Sequence, residues 1–256
     1  MSDLRELWAR GGTALGGWLF LREPLVAEAA ALAGFDYVCI DMQHGLVDYE
    51  DTVTMLYAMA RTPTTPIVRV PWNEPAMIGR VLDAGAGGVI IPMVNTAAEA
   101  RAAVAACRYA PLGARSMGPV GVSARAGREG YYATANDRVL CIPMVETRQA
   151  VENIDEIVAV PGVDAVYIGP ADLSITYGLE PRTDQTDPEW NAALVRVREA
   201  CVRARVVPGV HADASLAARR HGAGFRLITV GFDLGSVMAG MRADLSTSRK
   251  ATSAPS

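Results

Sequence analysis

Short apolar runs alternate with helical stripes along nearly the whole chain. Eight runs read as strands: residues 15–20, 37–41, 67–70, 89–92, 139–146, 165–169, 206–211 and 226–231. They are almost continuously apolar, as parallel strands covered on both faces should be. Between them, apolar residues recur at spacings of three and four. Val53, Leu56, Tyr57 and Ala60 form one such stripe, and Met77, Ile78, Val81 and Leu82 another; both predict amphipathic helices. Asn73-Glu74-Pro75 and Thr186-Asp187-Pro188 mark helix starts.

Eight β-α units in a chain of 256 residues predict a single-domain (β/α)8 TIM barrel over residues 1–243. Residues 244–256 read as a disordered tail. An open, doubly wound sheet would need a Gly-rich phosphate turn opening a helix, and no G-x-G-x-x-G occurs. The run Asp83-Ala84-Gly85-Ala86-Gly87-Gly88 precedes a strand instead, so its glycines are expected to end a helix. Two segments, 108–138 and 177–187, exceed ordinary loop length and suggest lids or interface pieces.

Composition narrows the classes. The net charge is −4 and no basic stripe is interleaved with aromatics, which argues against nucleic acid. No apolar run reaches the roughly 20 residues needed to cross a bilayer, so no membrane partner is expected. The N-terminus lacks the basic-then-apolar layout of a signal peptide. The four cysteines, Cys39, Cys107, Cys141 and Cys201, form no C-x-x-C pair, which fits a reducing cytoplasm. The single lysine, Lys250, lies in the polar C-terminal stretch. A Schiff-base enzyme needs a lysine in a desolvated pocket, so imine chemistry has no candidate.

In a TIM barrel the chemistry sits at the C-terminal strand ends. There the chain carries Trp18, Asp41-Met42-Gln43-His44-Gly45, Arg69, Glu146, Asp172 and His211. Arg69 breaks an apolar strand, and a buried guanidinium needs an anionic partner, either a structural carboxylate or a substrate. Glu146 and Asp172 end neighbouring strands. Each by itself could cap the helix that follows. Together on one rim they suit a hard divalent cation. His44 has a capping or packing reading beside a chemical one.

The motifs Asp41-Met42-Gln43-His44-Gly45, Arg69-Val70-Pro71, Leu82-Asp83-Ala84-Gly85-Ala86, Tyr109-Ala110-Pro111-Leu112-Gly113-Ala114-Arg115-Ser116, Val145-Glu146-Thr147 and Gly169-Pro170-Ala171-Asp172-Leu173-Ser174 occur in that order. Through them the chain resembles, over residues 14–240, the HpcH/HpaI aldolase family of metal-dependent pyruvate aldolases on a modified TIM barrel. The resemblance implies that Glu146 and Asp172 ligate a divalent metal (Mg2+, Mn2+ or Co2+). It implies that Arg69 meets the keto oxygen and that His44, oriented by Asp83, is an acid/base dyad at the aldehyde end. The backbone at Gly169, Ala171 and Asp172 would bind the pyruvate carboxylate, and Trp18 would line the pocket. Met144 stands where many relatives have Gln, and His211 stands where the pattern has an apolar residue, at a substrate-binding position that the resemblance places facing the acceptor pocket.

The implied reaction is reversible retro-aldol cleavage of a 4-hydroxy-2-oxo acid to pyruvate and an aldehyde. A CoA-ester lyase of the same superfamily is the nearest alternative, with Arg108, Arg115, Arg125 and Arg128 as phosphate-binding candidates. A non-catalytic barrel is the more distant one. The resemblance also implies a homohexamer, a trimer of dimers, in which the helix predicted over 233–245 docks through Val237, Met238 and Met241 on a neighbour.

Overall fold

The computed structural model describes residues 3–252. Eight strands form in the order read from the pattern: β1 (Ala14–Leu19), β2 (Tyr37–Asp41), β3 (Thr65–Arg69), β4 (Gly88–Ile91), β5 (Leu140–Val145), β6 (Ala165–Ile168), β7 (Val207–His211) and β8 (Leu227–Phe232). Each pairs in parallel with the next, and β8 pairs with β1, so the sheet closes into a barrel. Helices follow the strands and cover the outside. The fold is a (β/α)8 barrel.

The period of two along each strand sorts the side chains into two cores. One parity, including Val38, Ile40, Val68, Val89, Val166 and Ile228, packs outward against the helices. The other fills the barrel: Trp18, Tyr37, Cys39, Ile67, Ile90, Leu140, Ile142, Met144, Ala165, Tyr167 and Leu227. Following that inner parity toward the C-terminal ends leads from Cys39 to Asp41, from Ile67 to Arg69, from Met144 to Glu146 and from Tyr167 to Gly169. The barrel is thus apolar below and polar at its mouth. Gly16 on β1 makes room for one of its largest residues, since an added Cβ there would overlap the Tyr37 ring.

Three elements differ from the reading of the pattern. A helix, Leu4–Ala9, precedes β1; Asp3 caps it through backbone N–H groups, and Leu4 enters the inner core. Its Arg5 bonds to Asp164 at 2.5 Å, beside Arg108, which bonds to the same carboxylate at 2.8 Å. The long segment 108–138 is not a plain loop but holds the helices Val120–Ala126 and Arg128–Arg138. The expected disordered tail is helical as far as Thr252, within the helix Asp233–Thr252; residues 253–256 lie outside the described residues. There the Thr247, Ser248 and Thr252 hydroxyls each donate to the carbonyl four residues earlier, so these polar side chains bond within the helix rather than compete with it. All four cysteines are buried and free. Among the described residues no helix is long and apolar enough to cross a membrane.

Candidate active site

Arg69 is 8 % exposed and finds its anion in Asp41, its register partner on the adjacent strand. Arg69 Nε donates to Asp41 Oδ1 at 2.8 Å and Nη2 to Oδ2 at 2.5 Å. The Trp18 indole N–H donates to the same carboxylate at 3.1 Å. Burial alone would raise the Asp41 carboxyl, but the guanidinium and the indole N–H outweigh it and hold the group below the usual value. Burial alone would lower Arg69, and Asp41 more than reverses that. The Arg69 guanidinium also lies 5.0 Å from the Trp18 ring centroid. Two of its three nitrogens are therefore committed, and Nη1 has no acceptor among the described residues. Asp41 stood at a strand end in the sequence without a role; the buried arginine opposite it was the signal.

Glu146 follows β5 directly and is 2 % exposed. It does not cap the next helix; Thr147 does, accepting from the Ala150 N–H. Its Oε1 accepts the backbone N–H of Met93 at 2.7 Å. Met93 holds a φ of 55°, a left-handed conformation that is unusual for a residue with a side chain. Nothing in the sequence marks it, since neither Gly nor Asn signals the turn. Burial pushes the Glu146 carboxyl up to about 7, and the nearby charge of Asp172 adds to that; the Met93 N–H and Arg69 oppose it. Gly169 packs against the same carboxylate: an added Cβ would overlap Glu146 Oε2 and lie 3.0 Å from the Met144 methyl. Met144 therefore provides an apolar floor under the carboxylate.

Asp172 is partly buried in the first turn of the helix Pro170–Thr176. It does not cap that helix either, because Gly169 occupies the cap position and no side chain bonds the free amides. Leu173 is the first residue whose N–H reaches a helical carbonyl, that of Gly169. The N–H groups of Ala171 and Asp172 are thus open, as first-turn amides are. Glu146 and Asp172 form a two-carboxylate rim held by one backbone N–H, with no cationic side chain bonded to either among the described residues.

His44 and Asp83 are not brought together. His44 is exposed after β2, and its backbone N–H donates to Asp41 Oδ1 at 3.3 Å. Asp83 accepts instead from Arg115 Nη2 at 2.7 Å. The Arg115 side chain is fully buried, 4.6 Å from the Tyr109 ring and bonded to the Tyr131 hydroxyl, so it requires that carboxylate. Among the described residues, then, His44 and Asp83 make no hydrogen bond to each other. The loop arginines are similarly occupied: Arg108 bonds to Asp164, and Arg125 to the Ala84 carbonyl. Arg128 is exposed.

His211 ends β7. Its Nδ1 lies 3.2 Å from the Tyr167 hydroxyl, and its ring stands edge-on to Trp18 at 5.0 Å. Burial pushes its pKa down to about 4, with Arg69 adding to the effect and Asp41 and Asp213 opposing it. The imidazole is neutral at pH 7.

The Glu146 shift has a consequence for cation binding. Without a bound cation, Glu146 holds its proton up to about pH 7 rather than 4.5. A cation bound at this carboxylate would have to displace that proton. Its apparent affinity is expected to be flat above pH 7 and to fall by up to about tenfold per unit below it, as read by calorimetric Mn2+ titration between pH 5.5 and 8. An affinity independent of pH across that window would contradict the assignment. Thermal stability is the poorer readout. As pH falls, the raised Glu146 pKa stabilises the fold while the lowered His211 pKa destabilises it.

A closed parallel barrel with carboxylates, a guanidinium and open amides converging on its C-terminal mouth defines a barrel enzyme. The model of the HpcH/HpaI aldolase/citrate lyase family matches residues 15–239, and the chain belongs to that family. It is 41 % identical over 250 residues, 97 % of this chain and 99 % of the relative, to a hydroxypyruvate/pyruvate aldolase of Rhizorhabdus wittichii. It is 39 % identical over 230 residues, covering 87 % of this chain and 86 % of the relative, to a 4-hydroxy-2-oxo-heptane-1,7-dioate aldolase of Shigella sonnei. A crystal structure of an HpcH/HpaI aldolase/citrate lyase family protein from Burkholderia cenocepacia superimposes with a TM-score of 0.89 at 35 % identity, covering 97 % of this chain and 100 % of that one.

Proposed function

We propose that this protein is a divalent-metal-dependent pyruvate aldolase that cleaves a 4-hydroxy-2-oxo acid reversibly to pyruvate and an aldehyde. The observation that carries this reading is the Glu146 carboxylate, buried beside Asp172 with a single backbone donor. Two oxygen ligands on a rigid rim fit a hard cation that completes its shell with water and substrate oxygens. Mg2+, Mn2+ and Co2+ are the candidates. When bound, such a cation supplies a Lewis acid for the 2-oxo group of the substrate.

The remaining chemistry falls to the chain's own groups. The open N–H groups of Ala171 and Asp172, beside Gly169, suit the substrate carboxylate. Arg69 offers its uncommitted Nη1 protons to the keto oxygen, where negative charge gathers as the carbon–carbon bond breaks. Asp41 fixes the guanidinium through two bonds, so those donors need no reorganisation. Trp18 and His211 wall the pocket. His44, exposed at the mouth, suits proton transfer to and from the aldehyde oxygen. Asp83 keeps its proposed supporting role only if a substrate or a second copy of the chain alters its pairing with Arg115. No lysine competes for an imine route, since Lys250 lies exposed in the C-terminal helix.

Assembly into a homohexamer, a trimer of dimers, belongs to the same proposal. Leu234, Val237, Met238, Met241 and Leu245 are exposed along the helix Asp233–Thr252, an apolar face suited to a second copy. A cytoplasmic setting accords with the free buried thiols.

The test is a retro-aldol screen of 4-hydroxy-2-oxo acids with added Mg2+, Mn2+ or Co2+, following pyruvate release. Release that depends on the cation is expected for at least one acid. The same protein forming no pyruvate from any of them would overturn the reading.

A further inference from the structure

The Asp41 carboxylate does more than hold Arg69. It is fully buried and accepts from five N–H groups. On Oδ1 these are Arg69 Nε at 2.8 Å, the Gln43 backbone N–H at 3.0 Å and the His44 backbone N–H at 3.3 Å. On Oδ2 they are Arg69 Nη2 at 2.5 Å and the Trp18 indole N–H at 3.1 Å. An ionised carboxylate offers about four lone-pair positions, so this one is saturated. No position is left for a substrate proton or a cation, and Asp41 acts on the reaction only through the groups it holds.

Two of those groups belong to the turn that carries His44. At its start the Met42 N–H donates to the Arg69 carbonyl at 2.9 Å, and at its end the Leu46 N–H donates to the Phe20 carbonyl at 2.8 Å. Between these points Asp41 Oδ1 takes the Gln43 and His44 amides, the turn that a short carboxylate makes with the backbone following it. The exposed His44 imidazole makes no hydrogen bond of its own among the described residues. Its place at the mouth is set through its backbone, and so through Asp41.

We propose that Asp41 is a positioning residue for both halves of the reaction: one buried carboxylate holds the Arg69 guanidinium and the His44 turn in fixed relation to each other. This rests on the aldolase reading above, which gives Arg69 the keto oxygen and His44 the aldehyde oxygen. Arg69 reaches the carboxylate from β3 and His44 from the turn after β2, and both use Oδ1, so neither can shift without disturbing the other's acceptor. A displacement of about 1 Å at a reacting group costs on the order of 100-fold in rate. An amide cannot hold both sets. With its oxygen toward the turn, its NH2 faces Arg69 Nη2 and Trp18; reversed, its NH2 faces Arg69 Nε and the two turn amides. Donor meets donor either way.

The test compares two rates in one protein at saturating Mn2+. One is the exchange of pyruvate methyl protons with no aldehyde, which on this reading uses Arg69 without His44. The other is retro-aldol cleavage, which uses both. Asp41→Asn is expected to slow exchange and to slow cleavage by about tenfold more, so its cleavage-to-exchange ratio falls below that of the parent and below that of Arg69→Lys. His44→Ala is expected to lower the ratio too, and adding Asp41→Asn to it should lower the ratio no further. A loss of folded protein slows both rates alike and leaves the ratio unmoved. Because Asp41→Asn strips a buried guanidinium of its counter-charge and can cost the fold, a second variant, Arg69→Met/Asp41→Leu, removes both charges together. In it, deuterium uptake by the peptide spanning 42–46 is expected to be about tenfold faster than in the parent, while peptides from β5 and β6 exchange as before. Where Asp41→Asn does not fold, that uptake decides. An Asp41→Asn ratio equal to the parent's makes Asp41 a structural residue, and a ratio equal to that of Arg69→Lys makes it a support of Arg69 alone. Either result overturns the proposal, as does a parental ratio in His44→Ala or unchanged uptake in the double variant, and each leaves the aldolase reading standing. A parent protein that neither exchanges nor cleaves overturns that reading instead.

Discussion

Glu146→Gln is expected to abolish cation-dependent turnover while leaving the metal-free protein as stable as the parent, or more so. Glu146 is 2 % exposed and carries a raised pKa because its charge is poorly solvated and lies beside Asp172. The amide fills the same space, can still accept the Met93 N–H, and removes the repulsion. What it loses is the anionic oxygen that a hard cation requires. Substituting a residue that merely supports a metal ligand costs about 10–100-fold in metal affinity, so loss of a ligand should cost at least on the order of 100-fold. The same divergence is expected for Asp172→Asn. Parallel Mn2+ calorimetry and thermal unfolding check it. A variant that binds Mn2+ normally would remove the two-carboxylate site, and a variant that only unfolds would make Glu146 a structural residue.

Arg69→Lys is expected to lower kcat by about 100-fold or more, with a much smaller change in KM for the oxo acid. Arg69 makes two parallel bonds to Asp41 at 2.8 and 2.5 Å and keeps Nη1 for the substrate. An ammonium on a flexible stem cannot hold that fork and still present a fixed donor. The interaction lost is one that strengthens as charge builds on the keto oxygen, so it falls on turnover rather than binding. Steady-state kinetics of the two proteins at saturating Mn2+ provide the comparison. A lysine variant with nearly normal kcat would remove Arg69 from charge stabilisation and leave it as the structural partner of Asp41.

Much of this arrangement is legible in the sequence. Apolar runs spaced by helical stripes located all eight strands to within a few residues. The parity of two then placed Arg69 and Glu146 above Ile67 and Met144 on the inner face. The cap readings of Glu146 and Asp172 stayed open in the sequence because a carboxylate before a helix looks the same whether or not it caps. They close in the structure, where Thr147 and Gly169 hold the cap positions. The Asp41–Arg69 pair was half legible: the arginine's need for an anion was plain, while the register that supplies it is a property of the barrel. The Met93 N–H was not legible, since its positive φ is imposed by surroundings that strand patterns do not encode. The helix Leu4–Ala9 was missed because it buries mainly Leu4 and has no full amphipathic stripe. The His44–Asp83 dyad came only from resemblance, and Arg115, buried among tyrosines, takes the Asp83 carboxylate instead.

The central claim is that two rim carboxylates hold a cation that lets this barrel handle pyruvate without a lysine. It is tested most directly by the exchange of pyruvate methyl protons with deuterated water, followed by proton NMR with no aldehyde present. Protein stripped with EDTA is expected to leave the methyl signal unchanged, and restoring Mg2+ or Mn2+ should make that signal decay. Exchange at full rate in the stripped protein, or none with any of the cations restored, would contradict the account.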